Sequence, residues 1–181
     1  MAKQMNSIPS IDGPVLETER LVLRPPAGDD YPGFRALIMS DRGRFIGGPL
    51  EDEGRAWRAF ASIIGHWHIR GYGTFTIADP DSDAVFGLCG HWHPDEWPAL
   101  ELGWSLFDGH EGKGIATEAA LAVRDYSFVE MKVDCLYSYI NPHNHPSVAV
   151  AKRLGGILDT SAVVPGDDVK AWRHDRPATL A

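Results

Sequence analysis

The apolar residues in the first part of the chain follow the spacing of one short strand and two helices. Residues 21–24 are typical of a strand, which Pro25 and Pro26 end because proline has no backbone NH to give to a sheet. Apolar side chains three and four positions apart then predict one helix capped by Asp29 or Asp30 and a second over 51–70. Their predicted inward-facing residues are Phe34, Leu37 and Ile38 in the first, and Trp57, Phe60, Ile63, Ile64 and Trp67 in the second.

After Gly71 the periodicity changes from helical to that of strands. Residues 74–78 and 84–93 are β-rich runs joined by a turn-forming cluster at 79–83, which predicts an antiparallel hairpin. The next run, 99–107, alternates in polarity, as expected for a strand with one face in the core. The predicted core face holds Leu100, Leu102, Trp104 and Leu106, and the other face, which is available for chemistry, holds Glu101, Gly103 and Ser105.

The last third of the chain predicts one strand-helix-strand crossover and a closing strand pair. We expect a helix over 114–129, a strand over 134–140, a last helix from Pro146 to Leu154, and strands at 157–164 and 169–173. The whole pattern predicts an α+β (mixed α/β) domain, with a mostly antiparallel mixed sheet of about seven strands and about four flanking helices.

The length of the chain favours one domain. Its 181 residues can form one ordinary core but not comfortably two. Residues 1–13 mix polar residues, Pro and Gly without periodicity, so we expect an N-terminal arm that adds little to the core, followed by a single domain over 14–181.

Charge and cysteine content exclude several classes of function. The formal net charge of -8 disfavours nonspecific nucleic-acid binding, because the phosphate backbone would be repelled. Cys89 and Cys135 are too few for a disulfide framework and predict reduced thiols. With no apolar run long enough to span a membrane and no signal-peptide pattern, we expect a cytoplasmic protein without a membrane partner.

The most informative segment joins the strand at 99–107 to the helix after it. Gly109, Gly112 and Gly114 expose backbone NH groups at a helix N-terminus, where the helix dipole favours an anion. The glycines fit a tight strand-to-helix turn as well as a phosphate cradle, and the spacing is neither the dinucleotide fingerprint nor the P-loop. A nucleotide-phosphate site is a further reading of the same residues.

The sequence from Glu111 to Ala119, EGKGIATEA, resembles the acyl-CoA pyrophosphate loop of the GNAT superfamily of N-acetyltransferases. The superfamily pattern is Gln/Arg-x-x-Gly-x-Gly/Ala, and Glu111 departs from it at the first position. The form of the loop found here, GKGIATEA at 112–119, resembles that of the branch that includes the ribosomal-protein N-terminal alanine acetyltransferases. Two further stretches agree with that branch, LETERLVLRP at 16–25 and NPHNHPS at 141–147, the latter followed by KRLG at 152–155.

This resemblance implies a fold in which a central pair of parallel strands splays at a bulge and holds the pantetheine arm of CoA. Gly103 is the residue where such a bulge is easiest. The cosubstrate implied is acetyl-CoA, with no metal. The residues expected to bind it are Leu102, Gly103, Trp104, Glu111, Gly112, Lys113, Gly114, Ile115, Ala116, Thr117, Asn141 and Asn144.

Acyl transfer to an amine needs a base, because an alkylammonium with a pKa near 10 is only about 0.1% neutral at pH 7. Glu101 is the first candidate, since it shares the non-core face with Gly103; the alternative is a carboxylate held in a salt bridge. His91 and His93 share one face of the neighbouring strand and are further candidates. They are equally typical of half-exposed strand residues, and a His-x-His pair without a third ligand is weak evidence for a metal.

The resemblance assigns the proton donor for the leaving thiolate to Ser147, at the Asn-x-x-Asn-x-x-Ser position. Helix capping is the alternative role for Ser147, and turn formation is the alternative role for Asn144. Tyr137 and Tyr139 are fallback acids, although alternating aromatic residues on a strand more often pack.

The function expected from these residues is acetyl-CoA-dependent acetylation of a primary amine, on a protein N-terminus or a small molecule, by direct attack in a ternary complex. A non-catalytic acyl-CoA-binding regulatory module of the same fold is the alternative, motivated by Glu111. The acidic composition fits a cationic acceptor. The family resemblance also makes a homodimer an expectation.

Overall fold

The protein folds around one eight-stranded sheet. The structure is a computed structural model that describes residues 11–180; residues 1–10 of the predicted arm lie outside this range. Four α-helices flank the sheet: α1 (Tyr31–Ile38), α2 (Glu53–Arg70), α3 (Ile115–Val129) and α4 (His145–Arg153). The strands are β1 (Leu16–Glu17), β2 (Val22–Arg24), β3 (Thr74–Ala78), β4 (Val85–Trp92), β5 (Glu101–Leu106), β6 (Cys135–Ile140), β7 (Ile157–Asp159) and β8 (Lys170–Asp175).

The order of strands across the sheet is β1-β2-β3-β4-β5-β6-β8-β7. Strands β5 and β6, joined through α3, are parallel, and the other neighbouring strands within residues 11–180 pair antiparallel. The predicted mixed, mostly antiparallel α/β fold is thereby confirmed. The sheet has one strand more than the seven predicted. The additional strand is β1, whose two residues are too few to show an alternating pattern in the sequence.

A hydrophobic cluster covers each face of the sheet. On one side α3 packs on the central strands, with Phe75, Leu102, Val123 and Leu136 fully buried. On the other side α1 and α2 pack through Phe34, Leu37, Phe60, Leu88 and Phe107. Residue Ile11, within the predicted arm, packs against the first cluster. Among residues 11–180, no helix has the length and apolar character needed to cross a membrane.

The predicted core stripe of α2 is wrong at one position. Phe60 and Trp67 are buried, but Trp57 is 60% exposed. Ala56 occupies the buried position instead. Since successive helical residues are rotated by about 100°, the neighbour of an inward-facing residue can lie outside the stripe.

Asp30 is the N-cap residue of α1, as predicted, but its carboxylate makes no capping hydrogen bond to the helix. It is buried and accepts hydrogen bonds from the Arg24 guanidinium, the Thr76 hydroxyl and the Ala27 NH at 2.7–2.9 Å. Burial raises the pKa of Asp30, but these bonds outweigh burial and leave the pKa below its usual value. Asp30 therefore ties β2 and β3 together.

The predicted bulge at Gly103 is also wrong. Strands β4 and β5 stay in register from Gly87 opposite Leu106 to Trp92 opposite Glu101, with Gly90 opposite Gly103. The register shift in this part of the sheet lies between Ile77 and Ala78, where β3 pairs with β4.

Candidate active site

The two parallel strands β5 and β6 pair at one position and then diverge. Glu101 lies opposite Tyr137, and the Tyr137 NH donates to the Leu100 carbonyl at 3.0 Å. One step further, the carbonyl of Leu102 accepts from the Ser138 hydroxyl at 2.6 Å rather than from a backbone NH. A side chain thus replaces a ladder bond, so the splay needs no bulge.

Two connected cavities open where the strands separate. The larger is a cleft of about 1180 Å³ between α3, α4 and the segment that links α1 to α2. The smaller has a volume of about 90 Å³ and lies between β5 and β6. They share the lining residues Phe45, Ile46, Trp104, Asn144 and Ser147.

The glycine-rich loop forms one wall of the large cleft. Gly109, Gly112 and Gly114 have φ values of 81°, 73° and 81°, a left-handed conformation that favours glycine. Gly114 is the N-cap of α3, and the first NH groups of a helix have no partner within it. Of the predicted loop residues, Glu111, Gly112, Gly114, Ile115, Ala116 and Thr117 line the cleft, whereas Lys113 does not.

A polar clamp joins this loop to the N-terminal strands. The Glu118 carboxylate accepts from the Thr18 hydroxyl at 2.6 Å and from the Arg20 guanidinium Nε at 2.8 Å. Arg20 also donates from Nη1 to the carbonyl of Lys113 at 3.2 Å. The LETERLVLRP stretch is therefore in direct contact with the glycine loop and the start of α3.

The unusual Glu111 is held by an arginine on another element. Arg42, in the 3-10 turn Asp41–Phe45 between α1 and α2, forms an ion pair with Glu111. Its guanidinium also donates to Asp108 Oδ1 at 3.2 Å and to the carbonyl of Leu106 at 3.1 Å. The negative charge that Glu111 brings to the cradle therefore has a cationic partner in the wall of the cleft.

Glu101 is a half-buried carboxylate that lines the small cavity. Burial raises the pKa of Glu101 to about 7, although hydrogen bonds from the Trp97 side chain and the Tyr139 NH oppose the shift. The Trp97 indole NH donates to Oε2 at 2.9 Å. Among residues 11–180 no cation forms an ion pair with Glu101, so the salt-bridge alternative for this side chain finds no support there.

The Asn-x-x-Asn-x-x-Ser stretch lies at the start of α4, facing both cavities. Asn144 is the N-cap, and its Oδ1 accepts from the Ser147 NH at 3.3 Å. Ser147 is therefore not the capping residue, and it lines both cavities. Asn141 lines the small cavity, and its side chain bonds the His143 NH at 3.0 Å and Asp168 at 3.3 Å.

Tyr137 and Tyr139, the two fallback acids, have raised pKa values and pack against each other. Burial and the charge of Glu101 raise the pKa of Tyr139 to about 12, which makes its hydroxyl a weaker acid. The Tyr137 hydroxyl donates to Asp159 at 3.1 Å, and burial is the largest cause of its raised pKa. The two rings stack on each other at 6.0 Å, so the packing alternative describes them well.

His91 lies away from the candidate site, contrary to the prediction that it serves as a base there. His91, in β4, pairs with Leu102 in β5, the residue next to Glu101. Because neighbouring residues of a strand point to opposite faces, His91 and Glu101 lie on opposite faces of the sheet. It is fully buried, its Nε2 is 2.6 Å from the Ser127 hydroxyl, and burial lowers its pKa to about 4. A base must reach the substrate, and His91 cannot.

His93 is likewise outside both cavities. Its NH donates to His66 Nε2 at 3.0 Å, and its ring lies 3.4 Å from the Tyr72 hydroxyl. Within residues 11–180 no group of three or more His, Cys, Asp or Glu side chains is arranged to hold a metal ion.

Several residues that shape the site are not among those predicted from the sequence. Trp97 donates to Glu101, Ser138 donates to the Leu102 carbonyl where the strands diverge, and Arg42 pairs with Glu111. The carboxylate of Glu111 beside an anion cradle suggests a cation nearby, but the sequence does not show that Arg42 is that cation. The sequence gives no signal for Trp97 or Ser138. Their roles depend on hydrogen bonds to Glu101 and to the Leu102 carbonyl, which residue spacing does not predict.

The chain belongs to the GNAT acetyltransferase family. Residues 20–157 match the acetyltransferase (GNAT) domain family, which is more than half of the chain. A solved acetyltransferase from Agrobacterium tumefaciens is 38% identical to this chain, covers 96% of it and all of its own length, and has a TM-score of 0.86.

Other relatives are more distant or match over shorter segments. The chain is 38% identical over 81 residues to YnaD of Bacillus subtilis, named an uncharacterized N-acetyltransferase; the match covers 45% of this chain and 48% of YnaD. The chain thus spans about half the length of the curated relatives it matches. The ribosomal alpha-N-protein acetyltransferase RimL, solved in complex with coenzyme A, has the same fold at 17% identity, with a TM-score of 0.69 over 93% of this chain and 100% of its own.

Proposed function

We propose that the protein transfers the acetyl group of acetyl-CoA to a primary amine, by direct attack of the amine in a ternary complex. The observation that carries this proposal is that Glu101 and Ser147 line the same small cavity between β5 and β6. Glu101 is a half-buried carboxylate whose pKa is raised to about 7, and Ser147 also lines the large cleft.

The large cleft offers backbone donors and cationic side chains to a ligand such as CoA. CoA has a diphosphate, and the N-terminus of α3 and the left-handed glycines before it offer backbone NH groups to such an anion. Three cationic side chains, those of Arg42, Arg44 and Arg153, also line the cleft. Acetyl-CoA would supply the activated acetyl thioester.

Glu101 is suited to take a proton from the attacking amine. At neutral pH a carboxylate with a pKa of about 7 is substantially ionised and still basic enough to accept a proton. The hydrogen bond from Trp97 to Oε2 fixes the direction of the carboxylate, while burial keeps bulk water from competing for it. The ammonium form of the acceptor gives one proton to Glu101, and the neutral amine then attacks the thioester carbonyl to form the C–N bond.

Ser147 is suited to protonate the departing thiolate. Asn144 holds the first turn of α4 through the Ser147 NH, so the hydroxyl of Ser147 is not needed for capping. In this role the hydroxyl gives its proton to sulfur as the C–S bond breaks, and it takes the remaining proton of the amine nitrogen in return.

The surroundings of Glu101 favour an acceptor that approaches as a cation. Trp97 and Tyr139 lie edge to face at 6.2 Å beside the carboxylate, and aromatic faces together with a carboxylate attract an ammonium group. A peptide N-terminus and a small-molecule amine both carry this group. The net charge of -8 supports the same class of acceptor.

The test is an acetyl-CoA-dependent thiol-release assay over a panel of peptides and small primary amines, run at about pH 8, where the proposed base is ionised. Amine-dependent thiol release, with acetylated product found by mass spectrometry, is the expected result. Wild-type protein that binds CoA but releases no thiol across the panel would instead favour the non-catalytic CoA-binding module.

A further inference from the structure

The ion pair between Arg42 and Glu111 connects two parts of the cleft that are far apart in sequence. Arg42 belongs to the turn Asp41–Phe45 that follows α1, and Glu111 belongs to the glycine loop before α3. Both residues line the large cleft. The side chain of Arg42 is 34% exposed, so a ligand in the cleft can reach it.

The charges in the cleft make this pair important. Besides Glu111, the lining includes the carboxylates of Glu19, Asp41 and Glu118. Glu118 is paired with Arg20. A diphosphate placed against the glycine loop would meet the charge of Glu111 directly, unless a cation lies between or beside them.

The guanidinium of Arg42 has donors to spare for such a ligand. An arginine side chain carries five N–H donors. The contacts with Asp108, Leu106 and Glu111 use Nη1 and Nη2. These contacts hold the plane of the guanidinium at the edge of the loop.

We propose that Arg42 binds the diphosphate of CoA and that Glu111 is the positioning residue that holds Arg42 there. The inference rests on the CoA-binding part of the proposed function, and it assigns the cation of the diphosphate site to the α1–α2 segment rather than to the loop. Glu111 replaces the superfamily's Gln or Arg because the positive charge is supplied by another element.

This assignment reverses the sign expected for one substitution. If Glu111 acted only through its charge, Glu111→Gln would tighten CoA binding by removing repulsion. If Glu111 positions Arg42, the same substitution weakens CoA binding, because the guanidinium loses its anchor and must be ordered by the ligand.

The experiment measures CoA binding by calorimetry, which does not depend on catalytic activity. The variants are Arg42→Ala, Glu111→Gln and the double variant Arg42→Ala with Glu111→Arg. Arg35→Ala is the matched control, because Arg35 also pairs with a carboxylate, that of Glu53, but lies outside the cleft. Each protein is titrated with CoA, with dephospho-CoA, which keeps the diphosphate, and with millimolar pantetheine, which lacks it.

We expect Arg42→Ala to weaken CoA and dephospho-CoA about tenfold or more, and to leave pantetheine unchanged. Glu111→Gln should weaken CoA in the same direction, and the double variant should recover affinity relative to Arg42→Ala. Arg35→Ala should match the wild type.

Three results would overturn the inference while the wild type still binds CoA: tighter binding by Glu111→Gln, equal losses for CoA and pantetheine, or a loss confined to CoA with dephospho-CoA unaffected. The second would make the pair a structural link, and the third would place Arg42 at the 3′-phosphate. A wild-type protein that binds no CoA would contradict the proposed function itself.

Discussion

At the scale of single residues, the environment of Glu101 lowers the stability of the folded protein and also suits this carboxylate to act as a base. Partial removal of a carboxylate from water without a cationic partner is unfavourable, and the raised pKa of Glu101, about 7, reflects that cost. Such residues concentrate at functional sites, where a base that titrates near neutral pH is useful. The two consequences of this pKa can be measured separately.

The first consequence is a pH-dependent rate. Because the base works in its ionised form, kcat/KM should rise as pH increases through about 7 and level off above it. Glu101→Gln should lower kcat/KM by about a hundredfold and remove this rise. A pH profile with saturating acetyl-CoA checks both. An unchanged rise in the variant would assign the titration to another group.

The second consequence is a gain in stability when the charge is removed. The folded-state pKa of Glu101 is about 7, above its ordinary 4.5, so folding favours the protonated form and stability falls as pH rises between these values. Glu101→Gln should therefore raise Tm at about pH 8 by roughly 4–8 °C, corresponding to about 2 kcal/mol, and change it little at about pH 4.

The control for this measurement is Glu51→Gln, at an exposed glutamate outside both cavities. It should leave Tm unchanged at both pH values. A loss of stability in Glu101→Gln at high pH would mean that the carboxylate is not destabilising.

Ser147 offers a separate residue-scale prediction. Ser147→Ala should lower kcat by about a hundredfold and leave the Kd for CoA near the wild-type value, because the hydroxyl acts on the leaving group and Asn144 keeps the helix cap. Single-turnover kinetics and calorimetry measure the two quantities. Ser62→Ala, on the exposed side of α2, is the matched control. Unchanged turnover in Ser147→Ala would remove Ser147 from the mechanism.

At the scale of elements, the sequence predicts that α2 is a helix more accurately than it predicts which residues of α2 face the core. Phe60 is 4% exposed and Trp57 is 60% exposed, although both fit one helical stripe. Phe60→Ala should lower the free energy of unfolding by about 3–5 kcal/mol, and Trp57→Ala by less than about 1 kcal/mol. Urea denaturation measures both. Equal losses would place Trp57 in the core after all.

The elements themselves were predictable where the signal is local. The hairpin of β3 and β4, the crossover helix α3 and the cap region of α4 follow from turn residues, helical spacing and Pro146. The predicted strand over 157–164 ends early at Asp159, whose carboxylate accepts from the Ser161 NH at 3.0 Å and forms a local turn. The hydrophobic pattern favours a longer strand, but it contains no information on the side-chain hydrogen bond that ends the strand at Asp159.

At the scale of the whole molecule, the candidate site comes from five separate parts of the chain. Glu101, Ser147, Arg42 and the glycine loop reach one pair of cavities from β5, α4, the α1–α2 segment and the start of α3, while Tyr139 comes from β6. The loop and Ser147 were predictable because short motifs carry them. Arg42 was not, because its role depends on a tertiary ion pair with Glu111.

Ligand binding to this assembled site should stabilise the whole domain. A ligand at about 100 times its Kd adds roughly 2.7 kcal/mol to the free energy of unfolding, and each kcal/mol raises Tm by about 2–4 °C for a domain of this size. Saturating acetyl-CoA should therefore raise Tm by about 5–10 °C. Because the diphosphate cradle and the splayed strands would be filled together, pantetheine or ATP at equal concentration should each give a smaller shift. A rise with ATP equal to that with acetyl-CoA would mean that the glycine loop binds phosphates without selecting the thioester arm.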